Sequence, residues 1–401
     1  MKAVMYGAGN IGRGFIGQIF VQSGYELIFI DVADDLVSAL NHQKRYPVRI
    51  LGDDTVKDIW IEGVNAINGK DEEAASQAIA DADIMATAVG VGVLPYIAPV
   101  VAAGLKKRFT QTCKPLNIII CENLIGADKI FARLIKDQLS AEEQILFDKR
   151  AGLVTASIGR MVPLQTFEMQ DGNPLRVCVE AYGFLPVDKT AFRGEIPSLE
   201  GLCPFDNFDF YIQRKLFIHN MGHAICAYLG ILRGYNFIYE ACSHHGIFFI
   251  VQNAMLESAR ALSDKFGEQF ADLRSHIQDL LVRFSNKALG DTCERVGADT
   301  TRKLGSNDRL IGAHRLCAEQ GISADFISAG TSAALYYHLK EKGTQQSMDN
   351  AAAALREISS CGKDIEEKIL SYYSMLVSFP QGGDFETITG KIIKTASMTL
   401  S

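Results

Sequence analysis

The stretch that most constrains this chain is "KAVMYGAGNIGRGFIGQIFVQSGYELIFID", residues 2–31. "KAVMY" is a short apolar run that ends at Gly7. "NIGRGFIGQIFVQSG" has helical spacing and stops at Gly24, and "ELIFID" is a second apolar run. Strand, glycine turn, helix and strand in this order form the context in which a G-x-G-x-x-G pattern has structural meaning. Gly7 permits the tight turn, Gly9 lets the backbone approach a pyrophosphate, and Gly12 lets helix and strand pack closely. The amides and dipole at the helix start then face phosphate. The expected cradle is Gly7, Gly9, Asn10, Ile11 and Gly12. Asp31 ends the second run, 19 residues after Gly12. A carboxylate there accepts hydrogen bonds from a ribose and repels a 2′-phosphate, so NAD is favoured over NADP. The competing readings are a bare glycine turn and a methyltransferase that binds S-adenosylmethionine.

Further apolar runs, "DIMATAVG" and "LNIIICEN", alternate with helical stretches such as "DEEAASQAIADA" and "ADKIFARLIKDQL". This alternation predicts an α/β, doubly wound parallel sheet. Ligands of such sheets lie beyond the C-terminal strand ends. Asn123, in "CEN", therefore either faces the reactive ring of a cofactor or caps the next helix. "LVTASIGRMVP" (153–163) and "LRVCVEAYGFLPVD" (175–188) read as further strands. The expected division is a dinucleotide-binding domain over 1–192, a linker over 193–207 that is rich in turn residues, and a helical domain over 208–401.

The second half changes character. Only Pro204 and Pro380 occur beyond residue 200, and long amphipathic runs appear, among them "FFIVQNAMLESARALSDKFG", "FADLRSHIQDLLVRFSN" and "DNAAAALREISSCGKDIEEKILSYYSMLVS". Within its first helix lies "KLFIHNMGH", residues 215–223. At about 100° per residue, Lys215, His223 and Asn220 fall within about 140° of arc and can share a face. A lysine facing inward is desolvated, which lowers its pKa toward the range of a general base. Asn220 can stabilise an oxyanion and His223 can hold a hydroxyl. The competing reading is a snorkelling lysine beside two satisfied polar residues.

Composition narrows the partners. A net charge of -7 argues against nonspecific nucleic-acid binding. Residues 85–105 carry no charge, but Pro95 and Pro99 within them fit a strand, a loop and a helix start better than a membrane span. The nine cysteines are scattered, with no C-x-x-C pair, as expected of reduced thiols in a cytoplasmic protein. The glycine-rich loop begins at residue 7, where a secretory leader would otherwise stand. His219 and His223 have the i, i+4 spacing of metal ligands, but H-E-x-x-H fails at Asn220 and "CSHH" (242–245) supplies no clear third ligand, so no metal is expected.

"GAGNIGRGFIG", "CEN" and the K-x-x-x-x-N-x-x-H pattern of residues 215–223 together resemble the polyol-specific long-chain dehydrogenases, over nearly the whole chain. The resemblance implies a Rossmann domain followed by a helical domain, and metal-independent hydride transfer between NAD and a sugar alcohol. It implies Lys215 as general acid/base, Asn123 and Asn220 as the oxyanion hole and His223 as the residue that orients substrate. "ERVGADTTRKLGSNDRLIG" is closest to members that oxidise mannitol 1-phosphate to fructose 6-phosphate. An unphosphorylated polyol or a hexuronate, or an NAD-sensing protein without catalysis, are the alternatives. Arg302, Lys303 and Arg309 are the candidate phosphate ligands, against the alternative of a solvated basic face. Gly159 stands where members of the family usually have Asp; Ala298 stands where the phosphate-specific members tend to have a basic residue, and Thr300 where those members tend to have proline.

Overall fold

The computed structural model describes residues 1–52, 56–378 and 385–398. Its contacts divide the chain into two units, Met1–Tyr211 and Ile212–Ser401.

In the first unit, six strands pair in parallel: β1 (Lys2–Tyr6), β2 (Glu26–Asp31), β5 (Val64–Asn68), β6 (Ile84–Thr87), β7 (Leu116–Ile120) and β8 (Ala151–Thr155). Their order across the sheet is β5-β2-β1-β6-β7-β8. Counted along the chain this is 3-2-1-4-5-6, the doubly wound order, with its switch point between β1 and β6. The strands are near-continuous runs of buried Ala, Val, Ile and Met because helices cover both faces. Those helices are α1 (Gly17–Gln22), α2 (Asp34–Gln43), α3 (Glu72–Asp81), α4 (Leu94–Gln111), α5 (Ala127–Lys136) and α6 (Ala141–Arg150). The uncharged run 85–105 is β6, a turn and the first part of α4, with proline near the helix start and Pro99 inside it. Among the described residues, no helix is long and apolar enough to cross a membrane.

Three features depart from the sequence reading. A hairpin, β3 (Arg45–Leu51) with β4 (Val56–Glu62), precedes β5 and forms a separate sheet, β4-β3-β9, with β9 (Val177–Val179). The run 175–188 is not one strand. It breaks after Val179, and β10 (Leu185–Asp188) pairs in parallel with β11 (Leu202–Phe205) instead. Segment 193–207, read as connecting, thus contributes a strand. Between β8 and β9 lies a one-turn helix, α7 (Phe167–Gln170).

The second unit is helical. A helix that begins as α8 (Phe208–Arg214) passes through a wide π-turn, Lys215–Asn220, and continues as α9 (Met221–Arg233). It is followed by α10 (Ile238–Ser243), α11 (His245–Phe266), α12 (Phe270–Phe284), the short α13 (Cys293–Gly297) and α14 (Thr300–Lys303), then α15 (Ile311–Glu319) and α16 (Asp325–Glu341). The run 349–378, continuous in amphipathic pattern, is two helices, α17 (Met348–Ser359) and α18 (Lys363–Val377). Ser360 in the left-handed region (φ 45°) and Gly362 (φ 86°) end the first, because the backbone there cannot continue a right-handed helix. The last helix is α19 (Phe385–Ser397).

Helix α9 lies at the centre of this unit, packed on α10, α11, α13 and α16. Helix α16 is buried along most of its length, and its small residues let it approach α9: Ile225 occupies the space a Cβ on Gly330 would need. The start of α16 has no side-chain cap of its own. Glu257, from α11, accepts hydrogen bonds from the amides of Phe326 (2.9 Å) and Ile327 (3.0 Å) and supplies one.

Candidate active site

The cofactor cradle is built from the first strand-turn-helix. Gly7 adopts φ 98°, and a Cβ on it would meet the Ala88 carbonyl oxygen at 2.5 Å. A Cβ on Gly12 would collide with the Gly7 carbonyl oxygen. Gly9 is exposed, and a Cβ there would meet nothing within 4 Å. Two glycines therefore close the turn and the third opens it, as a phosphate cradle requires. Beyond it the helix starts at Asn10 and Ile11, both half-buried, and widens at once into a π-turn, Gly12–Ile16, where the Gly17 amide bonds the Gly12 carbonyl. Ile11 offers no side-chain cap, so the first amides keep their donors for an anion.

Asp31 ends β2 beside this turn. Its Oδ2 accepts from the Ala8 amide at 2.7 Å and its Oδ1 from the Ala33 amide at 3.0 Å. Each carboxylate oxygen has a second lone pair with which to accept a ribose hydroxyl. The donor and acceptor set fits an adenosine ribose and its pyrophosphate.

Two buried arginines that the sequence reading passed over lock the cradle. Arg13 donates from Nε to the Ala8 carbonyl (2.7 Å) and from a terminal nitrogen to Leu175 (2.5 Å). Arg160 reaches the Gly14 carbonyl (2.9 Å), Gln18 (2.8 Å) and the Glu180 carbonyl (2.9 Å). Burial pushes both guanidinium pKa values down, that of Arg160 to about 10, which leaves Arg160 charged at neutral pH. Gly159 beside Arg160 leaves room for the Tyr182 ring, whose Cε1 would lie 3.0 Å from a Cβ there. A larger residue at 159 would displace that ring.

At the end of β7, Asn123 is exposed. The capping alternative is not what the structure shows: α5 is capped at Gly126, without a side chain. Its neighbour Glu122 is buried and accepts from the amides of Val89 (3.0 Å) and Gly90 (2.9 Å). It ties the end of β7 to the turn after β6, on the side of the sheet where ligands bind.

In the helical unit, burial separates the polar residues of the first helix. Phe217, Ile218, His219, Met221, Gly222 and residues 224–230 are buried, whereas Lys215, Asn220 and His223 are half-buried. The angles expected of a regular helix are corrected here. Lys215 and Asn220 bound a π-turn, whose hydrogen bonds run from residue i to i+5. That brings them closer in angle than the about 140° of a regular helix. Such turns occur often at functional sites.

The His223 ring stacks on Phe284, with centroids 4.7 Å apart and planes 16° from parallel. Its Nε2 lies 3.4 Å from Asp291 Oδ2. Burial would raise the Asp291 carboxyl, but the His223 ring and the Arg295 guanidinium outweigh it and hold that pKa below its ordinary value. His219, one turn back, is buried against the same Phe284, and burial, with nearby Arg283, drives its pKa well down. The His219 and His223 rings are 6.2 Å apart. In "CSHH", His244 caps α11 and pairs with Glu386 at 2.6 Å. Among the described residues, no three His, Cys, Asp or Glu side chains gather to hold a metal ion.

The basic cluster is gathered around two carboxylates. Arg302 pairs with Asp299 (2.5 Å) and Asp308 (3.2 Å), and Arg309 pairs with Asp308 (2.7 Å). Lys303 is buried with its amine on the Ala298 carbonyl, and burial pushes its pKa down to about 8. Thr300 is also buried, bonded to His338 Nδ1 (2.8 Å) and Glu341 (3.2 Å), contacts a proline would lack.

Comparison with known proteins places this architecture. Residues 1–201 match the mannitol dehydrogenase Rossmann domain and residues 207–387 the mannitol dehydrogenase C-terminal domain. The chain belongs to the mannitol dehydrogenase family of oxidoreductases. It is 38% identical over 341 residues to mannitol-1-phosphate 5-dehydrogenase of Brevibacillus brevis, covering 85% of this chain and 87% of that one. It is 40% identical over 312 residues to the protein of that name from Geobacillus thermodenitrificans, covering 78% and 80%. Among solved structures it shares its fold with Pseudomonas fluorescens mannitol 2-dehydrogenase in complex with NAD and D-mannitol, at TM-score 0.77, 16% identity and coverage of 98% and 94%. A D-sorbitol dehydrogenase aligns at TM-score 0.76 and 15% identity, covering 94% and 93%.

Proposed function

We propose that the chain catalyses the reversible, NAD-dependent oxidation of mannitol 1-phosphate to fructose 6-phosphate. The observation that carries the substrate is the 38–40% identity, over most of each chain, to two mannitol-1-phosphate 5-dehydrogenases. The first unit holds the dinucleotide through the turn Gly7–Gly12, with Asn10 and Ile11 at the helix start and Asp31 on the ribose. NAD held there would supply the hydride acceptor for the carbinol carbon. The Lys215 amine takes the proton from the hydroxyl oxygen, and returns it in the reverse direction. Asn220 and Asn123 donate to that oxygen as charge develops on it. His223 holds a substrate hydroxyl. Arg302, Arg309 and Lys303 are the groups proposed for the phosphate, as guanidinium forks suit a dianion. On this reading the enzyme works in the cytoplasm on a small polyol phosphate.

One observation favours a second reading, the same chemistry on an unphosphorylated polyol or a hexuronate: Arg302 and Arg309 already have carboxylate partners. One assay separates the two. Oxidation of NADH is followed with fructose 6-phosphate, fructose and a ketohexuronate in turn, and again with NADPH. Preference for NADH and fructose 6-phosphate is expected. A higher kcat/KM on free fructose would overturn the phosphate assignment, and a preference for NADPH would overturn the role of Asp31.

A further inference from the structure

We infer that Asp291 is a positioning residue for His223: it fixes the proton on Nε2, so that Nδ1 meets the substrate as a hydrogen-bond acceptor. The inference rests on the role given to His223 above and extends it to the kind of group that His223 recognises.

The pair is built from two distant segments. His223 lies on α9 and Asp291 on the loop before α13, 68 positions later. The backbone of Asp291 is pinned, since its carbonyl accepts from the Ile238 amide at 2.9 Å and the Cys293 amide bonds Asn236 at 2.8 Å. The next residue, Thr292, caps α13 through the Arg295 amide at 3.2 Å. Side chains are fixed as well. One carboxylate oxygen of Asp291 takes the Arg295 guanidinium, with Nε at 2.7 Å, and the other lies 3.4 Å from His223 Nε2. Phe284 lies flat against the imidazole and sets its plane. Both partners are shielded, Asp291 at 10% and His223 at 15% side-chain exposure.

An ionised carboxylate only accepts hydrogen bonds. Nε2 beside it must therefore carry the proton, and in the neutral ring Nδ1 keeps the lone pair. Among the described residues, no hydrogen bond to Nδ1 competes for it. A substrate hydroxyl can donate to that lone pair and a carbonyl cannot. His223 thus selects a substrate hydroxyl over a carbonyl. A carboxylate behind a histidine sets tautomer and orientation in this way at metal and hydrolase sites alike.

The experiment compares Asp291→Asn, Asp291→Ala, Asp291→Glu, His223→Ala and the double variant His223→Ala/Asp291→Ala. Steady-state NADH oxidation with fructose 6-phosphate gives kcat and KM, and fluorescence titration gives NADH affinity. Asp291→Asn is isosteric but can donate to Nε2 and release the other tautomer. It is expected to lower kcat/KM roughly 10- to 100-fold, the range seen when such supporting carboxylates are removed. NADH affinity should hold, and Asp291→Glu should recover part of the loss. The double variant should lose no more than His223→Ala alone, because Asp291 acts through that ring. Wild-type kcat/KM in Asp291→Asn, or a double-variant loss equal to the product of the single losses, would overturn the inference. If Asp291→Ala does not fold, Asp291→Asn and Asp291→Glu carry the test. Full activity in His223→Ala would instead remove the role of His223 itself, and is read separately from any Asp291 variant.

Discussion

Gly9 and Gly12 give the sharpest test of the cofactor cradle, because one methyl group at each meets different surroundings. A Cβ on Gly9 touches no protein atom within 4 Å. A Cβ on Gly12 runs into the Gly7 carbonyl, which is backbone and cannot swing aside, and lies 3.3 Å from Met5 Cε. Gly9→Ala should therefore fold as the wild type does while its methyl occupies the space of the pyrophosphate. Losing one charge-assisted hydrogen bond from that loop costs about 1.5–3 kcal/mol, so the NADH Kd should rise roughly ten- to a hundredfold. Gly12→Ala should lose NADH as well, and should also carry an overpacking cost of about 1–3 kcal/mol. For a unit of this size that corresponds to roughly 2–4 °C in Tm per kcal/mol. Fluorescence titration with NADH and thermal unfolding of the same samples separate the two effects. The reasoning is refuted if Gly9→Ala binds NADH like the wild type, or if its Tm falls as far as that of Gly12→Ala.

Further outcomes follow from other parts of the molecule. Lys215→Ala should lower kcat about 10²–10⁴-fold with NADH binding retained, the span expected of a lost general acid/base; near-normal turnover at neutral pH would remove the assignment. Arg302→Gln and Arg309→Gln should each depress kcat/KM for fructose 6-phosphate and leave the activity on fructose nearly unchanged, whereas equal losses on both substrates would mark the arginines as supports for Asp299 and Asp308. Acid should weaken the helical unit early. Burial lowers the His314 pKa to about 4, so between pH 6.5 and 4 the unfolded chain binds a proton that the folded one does not, and stability falls as pH falls through that window. The loss from His314 is at most about 3.5 kcal/mol. Chemical denaturation across that range should show it, and the same midpoint at pH 7 and pH 4.5 would contradict it.

Much of the first unit was legible in the sequence because its signals are local. Apolar runs became the four- to six-residue strands β1, β2, β6 and β7, and glycines at fixed offsets located the cradle. The β3–β4 hairpin left no such mark, since its strands are partly exposed and their apolar pattern is broken. The candidate catalytic side chains were readable as odd polar residues on an apolar helix. Their partners were not. Asp291 lies far along the chain, and nothing in "GDTCERVG" announces a histidine behind it. Glu122 lay within a motif already singled out, but its role depends on amides over thirty positions earlier. The break at 360–362 shows the limit of periodicity: amphipathic spacing continued through a turn that the Cys361–Gly362 step interrupts.

The two π-turns have a consequence for how such a chain can vary. Each lies inside a helix that would otherwise be regular, one beside the cofactor loop at Gly12–Ile16 and one at Lys215–Asn220. A wide turn of this kind is, in effect, one surplus residue held within a helix. Deleting one residue from 216–219 would relieve it and restore regular i to i+4 hydrogen bonding. Because the wide turn already absorbs that residue, the helix on either side would keep its direction. Lys215 and Asn220 would then stand four residues apart, about 40° in angle, and still share a sector. A regular helix of the present length would instead set them about 140° apart. The surplus residue is thus what lets a lysine and an asparagine five positions apart face the same way, and a one-residue gap here in a relative would preserve that pairing.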